Sequence, residues 1–301
     1  MSIPELDEEL RRRLARRYGS EIDAWFDALP PVLRELGERW KLEWGSPIQR
    51  GSMSVVVRCR AAGRPAVLKV TPDRARVTRE AAGLACWTTG HVPAVLGFDE
   101  RLGALLLEAV EPGTSLAESA GYPSVESLAG LLTSLHDDGV PDPSFPPVAD
   151  RVTYLFDSST KLYERKPELV GLISPDLYAR GRGLALRLAA DPTASALLHG
   201  DLTPVNVLDG GPERGLVAVD PAPCIGDPAF DAVDLVLWRA TDVGAIAARA
   251  QEVAAATRMD AGRVLDWCTA FAGMAALEIA EAPGGSRAAA EPFVVLASRV
   301  R

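Results

Sequence analysis

His199-Gly200-Asp201-Leu202-Thr203-Pro204-Val205-Asn206, followed after the apolar run Leu216-Val217-Ala218-Val219 by Asp220, is the stretch whose reading decides the fold. It has the form H-x-D-x-x-x-x-N with a later Asp. These are the groups that phosphoryl transfer needs: one carboxylate to take the proton of an attacking hydroxyl, and a carboxamide and a second carboxylate to hold magnesium against nucleotide phosphates. Asp201 is the candidate general base. Asn206 and Asp220 are the candidate magnesium ligands, because Mg²⁺ takes a few protein oxygens and completes its shell with phosphates and water. Gly200 allows a close backbone approach beside the base. His199 reads as a histidine packed in the loop and hydrogen-bonded to backbone, in preference to a proton carrier.

Working outward, Val67-Leu68-Lys69-Val70 places a lysine inside an apolar strand, where it needs a partner unless it is an edge-strand lysine pointing to solvent. Glu80, in the helix that follows, can supply it, and a Lys–Glu pair that presents its ammonium to the α/β-phosphates is a nucleotide clamp. Between the first two strands, Gly51 and Ser52 could bring backbone N–H groups to phosphates, although a plain hairpin turn would have the same sequence. Leu105 to Val110 can form an apolar wall for adenine, with the Glu108 carbonyl and the Val110 amide meeting its hydrogen-bonding edge. An ordinary linker strand is the alternative there.

The texture of the chain agrees with a two-lobed α+β molecule. Helical spacing predicts helices over 3–18 and 21–38, the second broken or restarted at Pro30-Pro31. Short Val- and Leu-rich runs predict antiparallel strands over 41–50, 54–60, 65–70, 94–99 and 104–110, with one helix over 74–88 inserted. Glu111-Pro112-Gly113 punctuates the chain. The expected segments are therefore 1–40, N-terminal helices; 41–111, a nucleotide-binding lobe; and 112–301, a helical lobe. In the last, helices are expected over 124–137, 147–164, 174–190, 229–238, 243–257, 261–281 and 286–299. Strand-like insertions at 196–199, 205–208 and 215–219 flank the opening motif.

Composition narrows the function classes. The chain has 301 residues and a formal net charge of −9, which argues against a nucleic-acid partner and either favours attraction of a cationic small molecule or serves solubility alone. The four cysteines, Cys59, Cys86, Cys224 and Cys268, show neither disulfide-framework nor zinc-site spacing. No apolar run reaches membrane-spanning length, and the polar, Arg-rich N-terminus lacks an apolar segment of the secretory kind, so no membrane partner and a cytoplasmic location are expected.

On the motifs Ala66-Val67-Leu68-Lys69, Ala104 to Glu108, Pro112-Gly113-Thr114-Ser115-Leu116, His199-Gly200-Asp201-Leu202 and Gly226-Asp227-Pro228-Ala229-Phe230-Asp231, the chain resembles the aminoglycoside phosphotransferases. The resemblance runs from Trp44 to about Trp238 and is closest to the streptomycin 6-phosphotransferase and hydroxyurea phosphotransferase branch. It implies a bilobal protein-kinase-like fold, with a small antiparallel-sheet N-lobe carrying one helix and a larger, mostly helical C-lobe. It also implies ATP or GTP as donor, Mg²⁺, and a hydroxyl of a small molecule as acceptor. By the same resemblance Asp201 is the base, Asn206 and Asp220 are metal ligands, Lys69 and Glu80 are the clamp, and Asp231 supports the catalytic loop without reacting. Two positions depart from the family pattern. Thr203 stands where relatives often have His, and Ala222 where the streptomycin branch often has Lys.

The leading expectation is an O-phosphotransferase acting on a streptomycin-type aminoglycoside. Guanidinium groups on such an acceptor require carboxylates. Asp157, Asp227, Asp234, Glu278 and Glu281 are the candidates, each of which, taken alone, reads first as a solvated surface charge. The alternatives are a kinase for hydroxyurea or another small antibiotic or metabolite, and a non-catalytic nucleotide-binding protein. A monomer or a homodimer is expected.

Overall fold

Burial in the first strands alternates with a period of two, and that alternation sets both faces of the N-terminal sheet. The computed structural model describes residues 3–49, 53–191, 194–282 and 284–300. Gly51 and Ser52 lie outside these residues. By its own contacts the chain divides into two compact units, Met1–Ala85 with Val92–Gly113, and Cys86–His91 with Thr114–Arg301.

The first unit holds helices α1 (Glu8–Tyr18), α2 (Ile22–Arg39) and α3 (Arg74–Ala85), and strands β1 (Leu42–Pro47), β2 (Val55–Ala61), β3 (Arg64–Val70), β4 (Val95–Asp99) and β5 (Ala104–Glu108). The strands form one antiparallel sheet in the order β1-β2-β3-β5-β4. Val57 on β2, Leu68 on β3 and Leu106 on β5 stand in register and share a face. That face packs against Leu10 and Leu14 of α1 and Phe26, Leu29, Leu33 and Leu36 of α2. Lys69, opposite Val56 and Leu105, belongs to the other face. The N-terminal helices thus cover one side of the sheet, and the lysine stands on the other.

Two local expectations are corrected here. The helix over Ile22–Arg39 runs unbroken through Pro30 and Pro31. Its buried stripe, Phe26, Leu29, Leu33 and Leu36, holds the register across the two missing N–H donors. α3 ends at Ala85 rather than at residue 88, because the next segment joins the second unit. There the Cys86 carbonyl accepts from Val140 N–H (3.0 Å), Trp87 Nε1 donates to the Leu135 carbonyl (2.8 Å), and the His91 carbonyl accepts from Ala218 N–H (2.8 Å).

The second unit is built on helices α4 (Val125–Asp138), α5 (Val148–Arg165), α6 (Pro175–Ala190), α7 (Val233–Leu237), α8 (Val243–Thr257), α9 (Ala261–Glu281) and α10 (Arg287–Ala297). α9 is the central rod: Trp267 and Phe271 meet the Phe230 ring edge to face, and Phe271 also packs against Phe156. Short strands β6 (Ala196–Leu198) and β9 (Cys224–Gly226) form one ribbon, and β7 (Val207–Asp209) and β8 (Leu216–Ala218) another. β9 was not expected from the sequence. The single helix expected over 229–238 is a 3-10 turn, Pro228–Phe230, followed by α7, since the Asp227 side chain caps the turn at Ala229 N–H (3.0 Å) and Asp231 is drawn into the catalytic loop. Among the described residues no helix is long and apolar enough to cross a membrane.

Candidate active site

The loop from His199 to Asn206 links β6 to β7, and its shape is fixed by its own polar groups. Asp231, almost completely buried, accepts from His199 N–H (2.8 Å), Gly200 N–H (2.9 Å) and His136 Nε2 (3.1 Å). Burial pushes its carboxyl pKa up, but the His136 hydrogen bond, the neighbouring imidazoles and the Gly200 N–H outweigh burial and hold it below the ordinary value. Gly200 has φ +76°, and a Cβ there would run into the Ala222 carbonyl oxygen, so only glycine fits.

His199 is fully buried and works as a strut. Its Nε2 lies 3.1 Å from the Val219 carbonyl, and its Nδ1 accepts from Asp201 N–H at 3.3 Å, which assigns the proton to Nε2. Burial lowers its pKa below the usual value, so the ring is neutral at pH 7. Val219 N–H donates to the Asn206 carbonyl (2.8 Å) and Ala222 N–H to the His199 carbonyl (2.9 Å). Asp220 is therefore held between two residues anchored on the loop, itself in the left-handed region at φ 65°, where non-glycine residues are uncommon. Asn206 Nδ2 donates to the Asp201 backbone carbonyl (2.9 Å) and to Asp201 Oδ2 (3.2 Å), which leaves the Asn206 Oδ1 as the oxygen for a ligand. Asp201, Asn206 and Asp220 are brought together in one corner of the second unit.

In the first unit, Lys69 Nζ meets Glu80 Oε2 at 2.6 Å, with side chains 7% and 1% exposed. The other carboxylate oxygen of Glu80 is buried and has no hydrogen-bond partner among the described residues. Glu108 closes β5, its N–H donating to the Ala94 carbonyl (2.9 Å) and its Oε2 accepting from Ala94 N–H (3.1 Å). Val110, two residues on, is buried.

The five candidate acceptor carboxylates separate into distinct environments. Asp227 is interior: Trp267 Nε1 (2.7 Å), Ala229 N–H and Arg263 Nε all donate to it, so its role is to tie the 3-10 turn to α9. Asp157 is exposed on α5 and pairs with Arg182 (2.8 Å). Asp234, Glu278 and Glu281 remain. Asp234, on α7, and Glu278, on α9, both expose surface to solvent. Desolvation, reinforced by the charges of Glu278 and Asp201, pushes Asp234 up to about 7. Desolvation likewise raises Glu278 despite its contact with Ser159 Oγ (3.4 Å), and Asp201 and Glu281 add to the rise. Each of these carboxylates feels the charge of the base. Glu281 also stands 4.0 Å from Lys166.

Two site residues escaped sequence reasoning. His136, on α4, is the imidazole on Asp231; the signal was a histidine beside Leu131, Leu132 and Leu135, which in a buried stripe needs a polar partner. Arg151, on α5, donates from Nη2 to Asp201 Oδ1 (2.7 Å) and from Nε to the Gly200 carbonyl (2.7 Å). No local pattern marked it.

This architecture recurs in a known class. The structure matches that of the choline kinase LicA from Streptococcus pneumoniae with a TM-score of 0.63 at 15% identity, over 90% of this chain and 99% of that one, so the fold is the protein-kinase-like fold of small-molecule kinases. The family follows from the sequence. Residues 39–282 match the family described as aminoglycoside/hydroxyurea antibiotic resistance kinase. The streptomycin 6-kinase of Streptomyces griseus is 33% identical over 241 residues, 78% of this chain and 74% of that protein. The hydroxyurea phosphotransferase of Kitasatospora aureofaciens is 29% identical over 252 residues, 81% and 72% of the two chains. The chain belongs to the aminoglycoside/hydroxyurea antibiotic resistance kinase family and is a nucleotide-dependent phosphotransferase with a small-molecule acceptor.

Proposed function

We propose that this chain transfers the γ-phosphate of ATP, with magnesium, to a hydroxyl of a cationic, streptomycin-type acceptor. What supports the reading is the likeness to the streptomycin 6-kinase of Streptomyces griseus together with an Asp201 carboxylate held by Arg151 and Asn206 in the catalytic loop; the charge of Asp201 is also among the causes that raise Asp234 and Glu278. A base with carboxylates beside it suits an acceptor whose hydroxyl sits between guanidinium or ammonium groups.

The residues divide the work. Asp201 accepts a hydrogen bond from the acceptor hydroxyl and takes its proton as the oxygen attacks the γ-phosphorus in line. Asn206 Oδ1 and the Asp220 carboxylate are hard oxygen donors that suit Mg²⁺, and they are the residues that would hold it. When bound, the ion neutralises charge on the phosphates. Lys69, oriented by Glu80, meets the α/β-phosphates, and Glu108 and Val110 offer backbone groups to the adenine edge. Asp231, His136 and His199 keep the loop in shape. Asp234, Glu278 and Glu281 bind the acceptor's cationic groups.

The test is a mass-spectrometric acceptor screen with Mg-ATP and purified protein. Streptomycin and related aminocyclitols should gain one phosphate. Phosphorylation of hydroxyurea alone would move the acceptor to the neutral class, and ATP binding with no phosphorylated product from a broad panel would remove the enzymatic reading.

A further inference from the structure

Each oxygen of the Asp201 carboxylate has a protein donor, and the two differ. Oδ2 has the 3.2 Å contact from Asn206 Nδ2, while Oδ1 has the 2.7 Å charge-assisted bond from Arg151. The same guanidinium reaches the Gly200 carbonyl at 2.7 Å, so it bridges the backbone and the side chain of adjacent loop residues. Its side chain is only 11% exposed, and its guanidinium carbon lies 5.3 Å from the centroid of the Tyr154 ring one turn along α5. Ala222, whose carbonyl lies against Gly200, brings no charge. The positive φ of Gly200 gives the loop the geometry in which its carbonyl accepts from Arg151 Nε.

We propose that Arg151 is the positioning residue of the base: its planar fork fixes the Asp201 carboxylate and leaves Oδ2 as the oxygen that receives the acceptor proton. This rests on the reading of Asp201 as general base. In the transfer step the acceptor O–H proton passes to Oδ2, the acceptor oxygen bonds to the γ-phosphorus, and the bond from that phosphorus to the β-γ bridging oxygen breaks, releasing ADP. Arg151 exchanges no proton. A lysine cannot replace it, because one ammonium lacks the fixed two-donor geometry that reaches a carbonyl and a carboxylate together.

The experiment compares R151A, R151K and wild type, each also in a D201N background, by steady-state transfer to the acceptor and by intrinsic ATP hydrolysis. R151A should lower kcat by about 10- to 100-fold, the order expected of a misplaced reacting group, with both KM values changed less than about threefold. R151K, which keeps the charge and guards against a folding defect, should recover only part of that loss. In the D201N background R151A should cost less than about threefold, because its effect runs through the carboxylate already removed. Wild-type kcat in R151K, an undiminished R151A effect in D201N, or a loss confined to acceptor KM would each overturn the assignment. A wild-type enzyme inactive toward cationic acceptors would refute the acceptor reading instead, and the ratio of variant to wild-type ATP hydrolysis would still decide the role of Arg151.

Discussion

Replacing Asp231 by Asn should loosen the catalytic loop by an amount that its contacts allow one to work out. The carboxylate accepts three N–H groups, from His199 and His136 on Oδ2 and from Gly200 on Oδ1. Asn has one acceptor oxygen and one NH₂. With the NH₂ at the Oδ1 position, Gly200 N–H loses its acceptor. With the NH₂ at Oδ2, His136 can adapt by turning Nε2 into an acceptor, but His199 N–H is orphaned. Either way one buried backbone N–H is left unpaired, which costs about 1–3 kcal/mol, and the surviving bonds lose their charge assistance, for a total of roughly 2–4 kcal/mol. That is a large share of a typical stability of about 5–15 kcal/mol. Urea unfolding of wild type and D231N at neutral pH measures it, and kcat should fall by about 100-fold because Asp201 rides on the displaced loop. The pH dependence has a definite sign. The native carboxyl is held below its ordinary value of 3.8, so its contribution is fully present above that value and is lost as pH falls through the native one. The stability gap between wild type and D231N should therefore close in acid. A gap below about 0.5 kcal/mol at pH 7 would refute the reasoning, as that is the range of ordinary surface substitutions.

Three further outcomes follow from the site. K69M leaves Glu80 buried and unpaired, at a cost of about 3–5 kcal/mol in a denaturant melt, whereas K69M/E80L should regain most of that stability and remain inactive, separating clamp from scaffold. N206A and D220A should each weaken binding of Mn²⁺-ADP, followed by the electron paramagnetic resonance of free manganese, by about tenfold or more while leaving the fold intact. Since Asp234 is pushed up to about 7, the KM for a cationic acceptor should fall as pH rises through neutrality and the carboxyl ionises, and D234N should flatten that profile; an unchanged profile in D234N would remove Asp234 from the acceptor site.

The features of the molecule legible in the sequence are those whose chemistry is contiguous. His199 to Asn206 spans eight residues, and a lysine in an apolar strand announces its need for a partner. Where an interaction joins distant positions, sequence gave no pattern to read. Arg151 and Asp201 are 50 residues apart, and His136 and Asp231 are 95. The acidic residues show the same limit. Asp227 and Asp234 are both carboxylates near the G-D-P-A-F-D motif, yet one is interior and capped by the indole of Trp267 and the other is exposed on α7. Only packing distinguishes them. β9 is three residues long and exists because β6 pairs with it, and α2 crosses two prolines because its buried leucines hold it.

Whether Asp201 takes the acceptor proton is decided by the kcat of D201N, measured beside its affinity for Mg-nucleotide. Transfer should fall by at least about 10²-fold with nucleotide affinity unchanged. Turnover of D201N within a few fold of wild type would contradict a proton-accepting role for Asp201.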